Sequence, residues 1–226
     1  MRFFVTGVNG QLGYEVMNEL NKRVNEGVGS DIAPIYSGVS DNSAVTNVPY
    51  VSLDITDKDA VEKVIKEVKP NTVIHCAAWT AVVDMEEDDD KVDTVRKVNA
   101  SGSRNIADVC KAIDCKMLYL SIDYVFDGQG GELWKPDCKD YKPLNVYGQT
   151  KLESELSISN TLEKYFIIRI AWVFGLNGKN FIKIMINVGK TNDEVRTVND
   201  QIGTLTYCFD LARLLVDMCE TEKYGY

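Results

Sequence analysis

Short apolar runs alternate with longer amphipathic stretches along most of the chain. The short runs predict strands, and apolar residues recurring every three or four positions in the longer stretches predict helices. The predicted strands are residues 2–6, 32–37, 50–53, 72–76, 116–121, 165–170 and 195–198. The predicted helices are residues 11–25, 57–68, 92–113, 145–162, 180–189 and 207–222. This alternation predicts an α/β fold, with a doubly wound parallel sheet and helices on both of its faces.

A glycine-rich stretch, residues 6–13, follows the first predicted strand and opens the first predicted helix. Its three glycines are suited to a tight turn, to close approach of a pyrophosphate, and to close packing of helix on strand. The helix N-terminus also offers unpaired N–H groups to an anion. The stretch therefore predicts the phosphate loop of a Rossmann dinucleotide-binding domain. The cofactor-binding residues predicted in it are Gly7, Asn9, Gly10, Gln11, Leu12 and Gly13.

The choice between NADH and NADPH depends on the end of the second strand, where an acid favours NADH and a base favours NADPH. Asp41 follows the strand predicted at 32–37 and favours NADH. Ser37 and Ser40 are equally compatible with the 2′-phosphate of NADPH. The stretch 27–49 is rich in Gly, Ser, Asn and Pro, which weakens the strand prediction itself. Both cofactors therefore stay open.

Tyr147 and Lys151 stand four residues apart in a predicted helix, so their side chains lie on the same helix face. A free tyrosine is a poor acid at neutral pH because its pKa is about 10. A nearby ammonium group lowers that pKa and makes the phenol usable as a proton donor to a carbonyl. Many solvated helices carry the same spacing. The phosphate loop upstream is what favours a catalytic pair.

The composition narrows the class of protein. The chain has 226 residues, of which 45% are hydrophobic, so it can bury a sizeable core. Its net charge of −9 argues against nucleic acid as a partner, because neutralising phosphates needs a basic face. The acidic run at 86–90 is expected to be a solvated helix start or loop, and no metal site is predicted. The chain shows neither a signal-peptide pattern nor an apolar run of membrane-spanning length, so we expect a cytoplasmic protein without membrane contact.

Cysteine and histidine exclude further classes of chemistry. The six cysteines form no C-x-x-C pair and are expected to be reduced thiols that serve as small apolar residues. The single histidine, His75, closes the apolar run 72–74 and is expected to be a packed residue at a strand end. Because this one histidine is expected to be packed, neither a His-dependent hydrolase triad nor a His-rich zinc site is predicted.

Several stretches, in order along almost the whole chain, carry a family resemblance. The most specific is Pro-Leu-Asn-Val-Tyr-Gly-Gln-Thr-Lys-Leu-Glu at 143–153. The others lie at 6–13, 53–57, 76–82, 98–100, 123–128, 169–175 and 200–203. In these stretches the chain resembles the extended short-chain dehydrogenase/reductase family, and within it the dTDP-4-dehydrorhamnose reductases.

The resemblance implies reduction of the C4 ketone of a nucleotide-linked 4-keto-6-deoxy sugar by NADPH or NADH. Tyr147 would donate the proton, Lys151 would bind the nicotinamide ribose and lower the pKa of Tyr147, and Asn99 would assist as a buried polar group. It further implies a dinucleotide-binding domain at 1–172 and a partial, incomplete substrate lobe at 173–226. The family continues past the position of Tyr226. The implied partner is the nucleotide-linked sugar, and the resemblance admits a homodimer.

The same resemblance implies roles for residues at strand ends. Further cofactor-binding residues would be Asp54, Ile55, Ala77, Ala78, Trp79, Thr80, Tyr147 and Lys151. Asp54 would accept a hydrogen bond from the adenine amino group, and Ile55 would pack beside it. The implied substrate residues are Ile122, Asp123 and Trp172, although Trp172 is nearly as compatible with a core position.

One departure from the family concerns the reaction directly. The family has a threonine, whose hydroxyl binds the substrate carbonyl, where this chain has Ile122. Losing one such donor costs about 10²–10³ in rate at other oxyanion sites. Ser121 could replace it as a catalytic residue only if the strand twists or bulges, because neighbouring strand residues point to opposite faces. The alternative function is therefore a weak or inactive dinucleotide-binding regulatory subunit, like that of methionine adenosyltransferase; an epimerase or dehydratase fits least.

Overall fold

Six parallel strands form the main sheet, in the order β3-β2-β1-β4-β5-β6. The computed structural model describes residues 1–36, 48–80 and 89–226, apart from the side chains of residues 89 and 90. The strands are β1 (Arg2–Thr6), β2 (Glu26–Asp31), β3 (Tyr50–Ser52), β4 (Thr72–His75), β5 (Lys116–Ile122) and β6 (Tyr165–Ile170). Strands β7 (Val173–Phe174) and β8 (Thr206–Tyr207) pair in a second, small parallel sheet. This strand order confirms the predicted doubly wound α/β fold.

Helices cover both faces of the main sheet. They are α1 (Gln11–Lys22), α2 (Lys58–Val68), α3 (Asp89–Arg96), α4 (Gly102–Ala112), α5 (Val146–Thr161), α6 (Phe181–Thr191) and α7 (Cys208–Cys219). Helices α1 and α7 bury Leu20 and Leu215 in the core on one face. Helices α2, α4 and α5 bury Ile65, Ile106 and Ile158 in the core on the other. A π-helical turn (Lys97–Ser101) joins α3 to α4.

Capping side chains set the starts of α2 and α5. The Asp57 carboxylate accepts a hydrogen bond from Ala60 N at 3.0 Å, and α2 begins at the next residue. The Asn145 side chain accepts from Gly148 N at 2.7 Å and begins α5 in the same way. Each side chain satisfies one of the N–H groups that the first helical turn leaves unpaired. The sequence therefore specifies where the helix that carries Tyr147 begins.

The predicted second strand was wrong in position. Strand β2 occupies 26–31 and not 32–37, so α1 ends at Lys22 instead of residue 25. The strand contains Gly27 and Gly29, and glycine weakens a strand signal. A Cβ at Gly27 would lie 3.2 Å from Met17 Cε, and one at Gly29 would lie 3.3 Å from Val8 Cγ1. Close packing beneath the phosphate loop thus accounts for the glycines.

Two other predicted elements also differ from the structure. Residues 195–198 form no strand and are exposed. The helix predicted at 92–113 is divided by the π-helical turn. Helix α7 lies in the predicted lobe 173–226 yet packs in the same core as α1, and the division of the chain at residue 172 stays a prediction. Within the described residues no helix is long and apolar enough to cross a membrane, and the six cysteines are free thiols.

A buried ion pair joins the far edge of the sheet to α5. Arg169 Nη2 lies 2.8 Å from Glu155 Oε2, and Nε lies 3.0 Å from Oε1. The guanidinium group also lies over the rings of Phe126, Tyr141 and Tyr226, at 4.9, 5.4 and 4.6 Å from their centroids. Cation–aromatic contacts of this kind are favourable when the cation is shielded from water. The pair therefore holds α5, β6 and the C-terminal residues together.

Candidate functional site

The candidate site lies at the carboxyl ends of β1 and β4, where the strand order of the sheet reverses. Gly7 has a φ of +71°, and a Cβ there would lie 2.6 Å from Ala77 N. A Cβ at Gly13 would lie 2.2 Å from Gly7 O. Any side chain at either position would clash with backbone. The turn and the close helix packing predicted for these glycines are therefore confirmed, while their contact with a cofactor stays a prediction.

The first turn of α1 offers backbone donors to the crevice. Gly10 precedes the helix and has no side chain with which to cap it. The backbone N–H groups of Gln11, Leu12 and Gly13 therefore begin the helix without a side-chain cap. Unpaired N–H groups together with the positive end of the helix dipole favour an anion. The geometry fits a phosphate group.

Asp31 is a site residue that the sequence analysis missed. It ends β2, and its carboxylate accepts a hydrogen bond from Asn9 N at 3.0 Å. An acid at this position is the one that binds the adenosine ribose in NAD-binding folds. Asp41, which the misplaced strand suggested, lies outside the described residues, as do Ser37 and Ser40. Counting roughly 20 residues onward from the glycines would have found Asp31.

The chain leaving β4 forms one wall of the crevice, with Ala77, Ala78, Trp79 and Thr80 in sequence. Asn99 braces it. Its Oδ1 accepts from Trp79 N at 2.8 Å, and its Nδ2 donates to Trp79 O and to Thr150 Oγ1, both at 3.2 Å. Asn99 lies in the π-helical turn, and its carbonyl oxygen accepts from Ser103 Oγ and Ser154 Oγ. The asparagine thus connects this wall to α5.

His75 is buried at the end of β4 and takes a single orientation. Its Nδ1 lies 2.7 Å from Thr6 Oγ1, and its Nε2 lies 3.0 Å from Ser103 Oγ. Ser103 must donate its proton to the carbonyl oxygen of Asn99, since that oxygen can only accept. Ser103 therefore accepts from Nε2–H, and Nδ1 accepts from Thr6. Burial, followed by the charge of Lys151, lowers the pKa of His75 to about 3, so the ring is neutral, as expected of a packed residue.

Tyr147 and Lys151 are both buried at the start of α5. A Cβ at Gly148 would lie 2.2 Å from Tyr124 O, so the helix lies directly against the turn that follows β5. The Lys151 ammonium donates to Leu120 O at 2.5 Å and lies 4.2 Å above the centroid of the Tyr119 ring. The lysine therefore points into the end of β5.

Burial controls the ionisation of both residues. It raises the pKa of Tyr147 to about 12, with further electrostatic contributions from Asp123 and Tyr124. It lowers the pKa of Lys151 to about 7, an effect that Glu155 partly offsets. The expected lowering of the Tyr147 pKa by Lys151 is thus wrong for this form of the protein, because burial outweighs any effect of the ammonium group. Tyr147 is fully protonated at neutral pH.

Ser121 and Ile122 end strand β5 without the bulge that would let Ser121 replace the family's threonine. Strand β5 stays in register with β6 through both residues. Ile122 packs against Tyr147 and Val95. Ser121 is buried and shares the face of Tyr119, and its hydroxyl has no hydrogen-bond partner among the described residues. The geometry therefore puts an apolar side chain beside the tyrosine, and the catalytic role considered for Ser121 stays a prediction.

The remaining predicted residues lie around the same edge. Asp54 Oδ1 accepts from Thr56 N and Thr56 Oγ1 at 2.9 and 2.8 Å, while Ile55 is buried against Gly102. Burial raises the pKa of Asp123.

Trp172 has a φ of +44° and is 42% exposed. Its ring covers Gly203, where a Cβ would lie 2.8 Å from Trp172 Cε2. Trp172 is thus a surface residue held in place by a glycine, and not a core residue.

Comparison with known proteins places the chain in a family. A family model described as the RmlD substrate binding domain matches residues 1–225. The chain belongs to this family. It is 36% identical over 212 residues to a dTDP-4-dehydrorhamnose reductase of Streptomyces griseus, covering 93% of this chain and 62% of that protein. It is 34% identical over 230 residues to one of Aggregatibacter actinomycetemcomitans, covering 99% and 71%.

Solved structures agree with the family assignment. A dTDP-4-dehydrorhamnose reductase from Clostridium acetobutylicum superposes with a TM-score of 0.86 at 39% identity, over 100% of this chain and 72% of that one. One from Bacillus anthracis, solved in complex with NADP, gives a TM-score of 0.85 at 34% identity, over 99% and 73%. The resemblance drawn from the sequence is thereby confirmed. The chain spans less than two thirds of the length of the Streptomyces griseus relative.

Within this RmlD-family chain, we expect His75 to make the fold sensitive to acid. The pKa of its imidazole is about 3 in the folded chain and about 6.5 in the unfolded chain. Between these values only the unfolded chain binds the proton. The stability contributed by the neutral ring is therefore complete above about pH 6.5 and falls by about 1.4 kcal/mol for each pH unit below it.

The measurement compares wild type with His75→Gln, whose side chain does not titrate. Urea unfolding should show that the difference in free energy of unfolding between the two proteins changes by about 2 to 3 kcal/mol, against wild type, from about pH 6.5 to 4.5. Because His75 is the only histidine, no other imidazole contributes. A difference that is independent of pH would contradict the buried neutral ring.

Proposed function

We propose that this chain reduces the C4 ketone of a nucleotide-linked 4-keto-6-deoxy sugar with NADH or NADPH, as a dTDP-4-dehydrorhamnose reductase. The observation that carries the proposal is the burial of Tyr147 and Lys151 one helical turn apart, at the same sheet edge as the phosphate loop (residues 6–13). The names of the RmlD-family relatives support the substrate class. None of the relatives described above is a regulatory subunit, so that alternative has no support.

The residues present fit a dinucleotide. Gly7 and Gly13, where any Cβ would clash, leave the backbone of the phosphate loop uncovered by side chains. The first turn of α1 supplies N–H groups for the phosphates. Asp31 would bind the adenosine ribose, and Asp54 the adenine amino group. Trp79 and Thr80 would border the nicotinamide end. When bound, the reduced nicotinamide supplies a hydride to C4 of the sugar.

The protein's part in the reaction is to bind the sugar and to supply a proton. Tyr147 is protonated at neutral pH because burial raises the pKa of its phenol. It would donate that proton to the C4 oxygen as negative charge develops there. Lys151 lies one turn away and would stabilise the resulting tyrosinate. Ile122 packs beside Tyr147 and offers no second hydrogen bond, so proton donation would depend mainly on the tyrosine.

The proposed reaction is tested by following oxidation of NADPH or NADH in the presence of dTDP-4-dehydrorhamnose. We expect turnover by the wild type and a fall in kcat of about 10²–10⁴ for Tyr147→Phe, because the proton donor is lost. Tyr165→Phe is the control, since it removes a hydroxyl from the opposite end of the sheet. Absence of turnover by a folded wild type that binds the dinucleotide would contradict the proposal.

The effect of the missing hydroxyl can be measured separately. Ile122→Thr should raise kcat by about tenfold or more, because a single donor to a developing oxyanion is worth about 10²–10³ where the geometry is good. Ile122→Val is the matched control, since valine has nearly the shape of threonine without the hydroxyl. If both variants change kcat equally, packing and not hydrogen bonding is responsible.

Asp31 should make the chain prefer NADH. A carboxylate beside the ribose accepts from the 2′-hydroxyl of NADH and repels the 2′-phosphate of NADPH. Asp31→Ser should lower the ratio of kcat/KM for NADH to that for NADPH by about tenfold, or 1.4 kcal/mol. The ratio cancels any loosening of the loop from loss of the bond to Asn9. An unchanged ratio would place the ribose elsewhere.

A further inference from the structure

Two asparagine side chains reach the phosphate loop from the other end of the sequence. Asn177 lies between β7 and α6, and its Nδ2 donates to Asn9 O at 3.0 Å and to Gly10 O at 3.2 Å. Asn180 directly precedes α6, and its Nδ2 donates to Gln11 Oε1 at 3.0 Å. Both asparagines are buried. The segment before α6 is therefore bonded to the loop at three acceptors.

Asn177 helps to fix the direction of the amide between Gly10 and Gln11, whose N–H is one of the uncapped donors at the start of α1. A trans peptide group is planar, so Gly10 O and the N–H of Gln11 point in opposite directions. Gly10 O also accepts from Tyr14 N at 3.3 Å, within the first turn of α1. Donation from Asn177 holds this carbonyl on the side of the 175–180 segment. The N–H of Gln11 is consequently turned to the opposite side, with the other uncapped donors of the helix.

Asn180 connects the same loop to the start of α6. Its Oδ1 accepts from Lys183 N at 3.1 Å and so caps the helix, while its Nδ2 also donates to Gly175 O at 3.0 Å. Helix α6 has no buried residue, and Phe181 and Ile184 are exposed. With so little apolar burial, the position of α6 depends on the polar contacts at its N-terminus.

We propose that Asn177 and Asn180 are positioning residues that couple the order of the phosphate loop to the position of α6. The identity of the ligand, a dinucleotide, rests on the proposed function. Coupling is reciprocal: if docking of the segment improves phosphate binding at the loop, phosphate binding must stabilise the docked segment by the same free energy. Helix α6 lies in the predicted substrate lobe, so cofactor binding would set the position of the substrate side before the sugar arrives.

The test combines dinucleotide affinity with amide hydrogen exchange in Asn177→Ala. In the wild type, saturating NADH should slow exchange in peptides from α6. In the variant we expect the Kd for NADH to rise about tenfold, since hydrogen bonds to two carbonyls are lost, and the NADH-induced slowing in α6 to disappear. Asn160→Ala is the matched control, because it removes an exposed asparagine near the C-terminal end of α5 and leaves both ends of α6 intact, and it should behave as the wild type does.

A second variant guards against general destabilisation. Asn180→Asp keeps the oxygen that caps α6 but loses the donor to Gln11 and Gly175. It should also lose the NADH-induced slowing, while α6 peptides exchange at a measurable helical rate without ligand. A purely structural role predicts lower stability with the slowing intact. Retention of the wild-type Kd and of the slowing in both variants would overturn the coupling.

The coupling and the proposed function fail in different ways. If the folded wild type binds neither NADH nor NADPH, the dinucleotide assignment is wrong. The hydrogen bonds from Asn177 and Asn180 to the phosphate loop are then tested without ligand. In that case Asn177→Ala must speed exchange both in peptides covering the phosphate loop and in those covering α6, relative to Asn160→Ala. Equal exchange in the two variants would overturn the coupling itself.

Discussion

The arrangement of the site depends on the close approach of Gly7 to the chain that leaves β4. A Cβ at Gly7 would lie 2.6 Å from Ala77 N, and one at Gly13 would lie 2.2 Å from Gly7 O. A side chain at either position would therefore separate the loop from the sheet edge and α1 from its face. Because β1 and β4 are the strands between which the order reverses, this contact fixes the crevice in which a doubly wound sheet binds its ligand.

Next to that contact, a network of buried hydrogen bonds connects the phosphate loop to α5, the helix that contains Tyr147. The members of the network, in order of donation, are Ala77, Thr6, His75, Ser103 and Asn99. Ser154 of α5 donates to the same Asn99 carbonyl. Each member has only one possible role as donor or acceptor at its contacts, so the network has a single orientation. The loop, the wall after β4 and the start of α5 are thereby held in one arrangement.

The features that could be predicted from the sequence are those set by residues close together along the chain. The glycine turn after β1 and the start of α5 are specified locally, by Gly7 and Asn145, and both were predicted correctly. Strand β2 was misplaced because its glycines are required by packing against side chains of the phosphate loop and α1, which the local sequence does not show. Asp31, which ends this strand, was missed for the same reason. The bond from Asn177 to Asn9 spans 168 residues. No local pattern marks such a contact, so only the folded chain reveals it.

Burial of Tyr147 and Lys151 constrains the chemistry that we propose for them. Burial raises the pKa of Tyr147 and lowers that of Lys151, so it favours the neutral form of both. Ile122 contributes to the burial of Tyr147 by packing against it. A dry site strengthens the hydrogen bond that Tyr147 would donate to a developing oxyanion, while the same isoleucine removes a second donor. In the proposed reaction, Ile122 would therefore leave Tyr147 as a single, better shielded donor to the sugar oxygen.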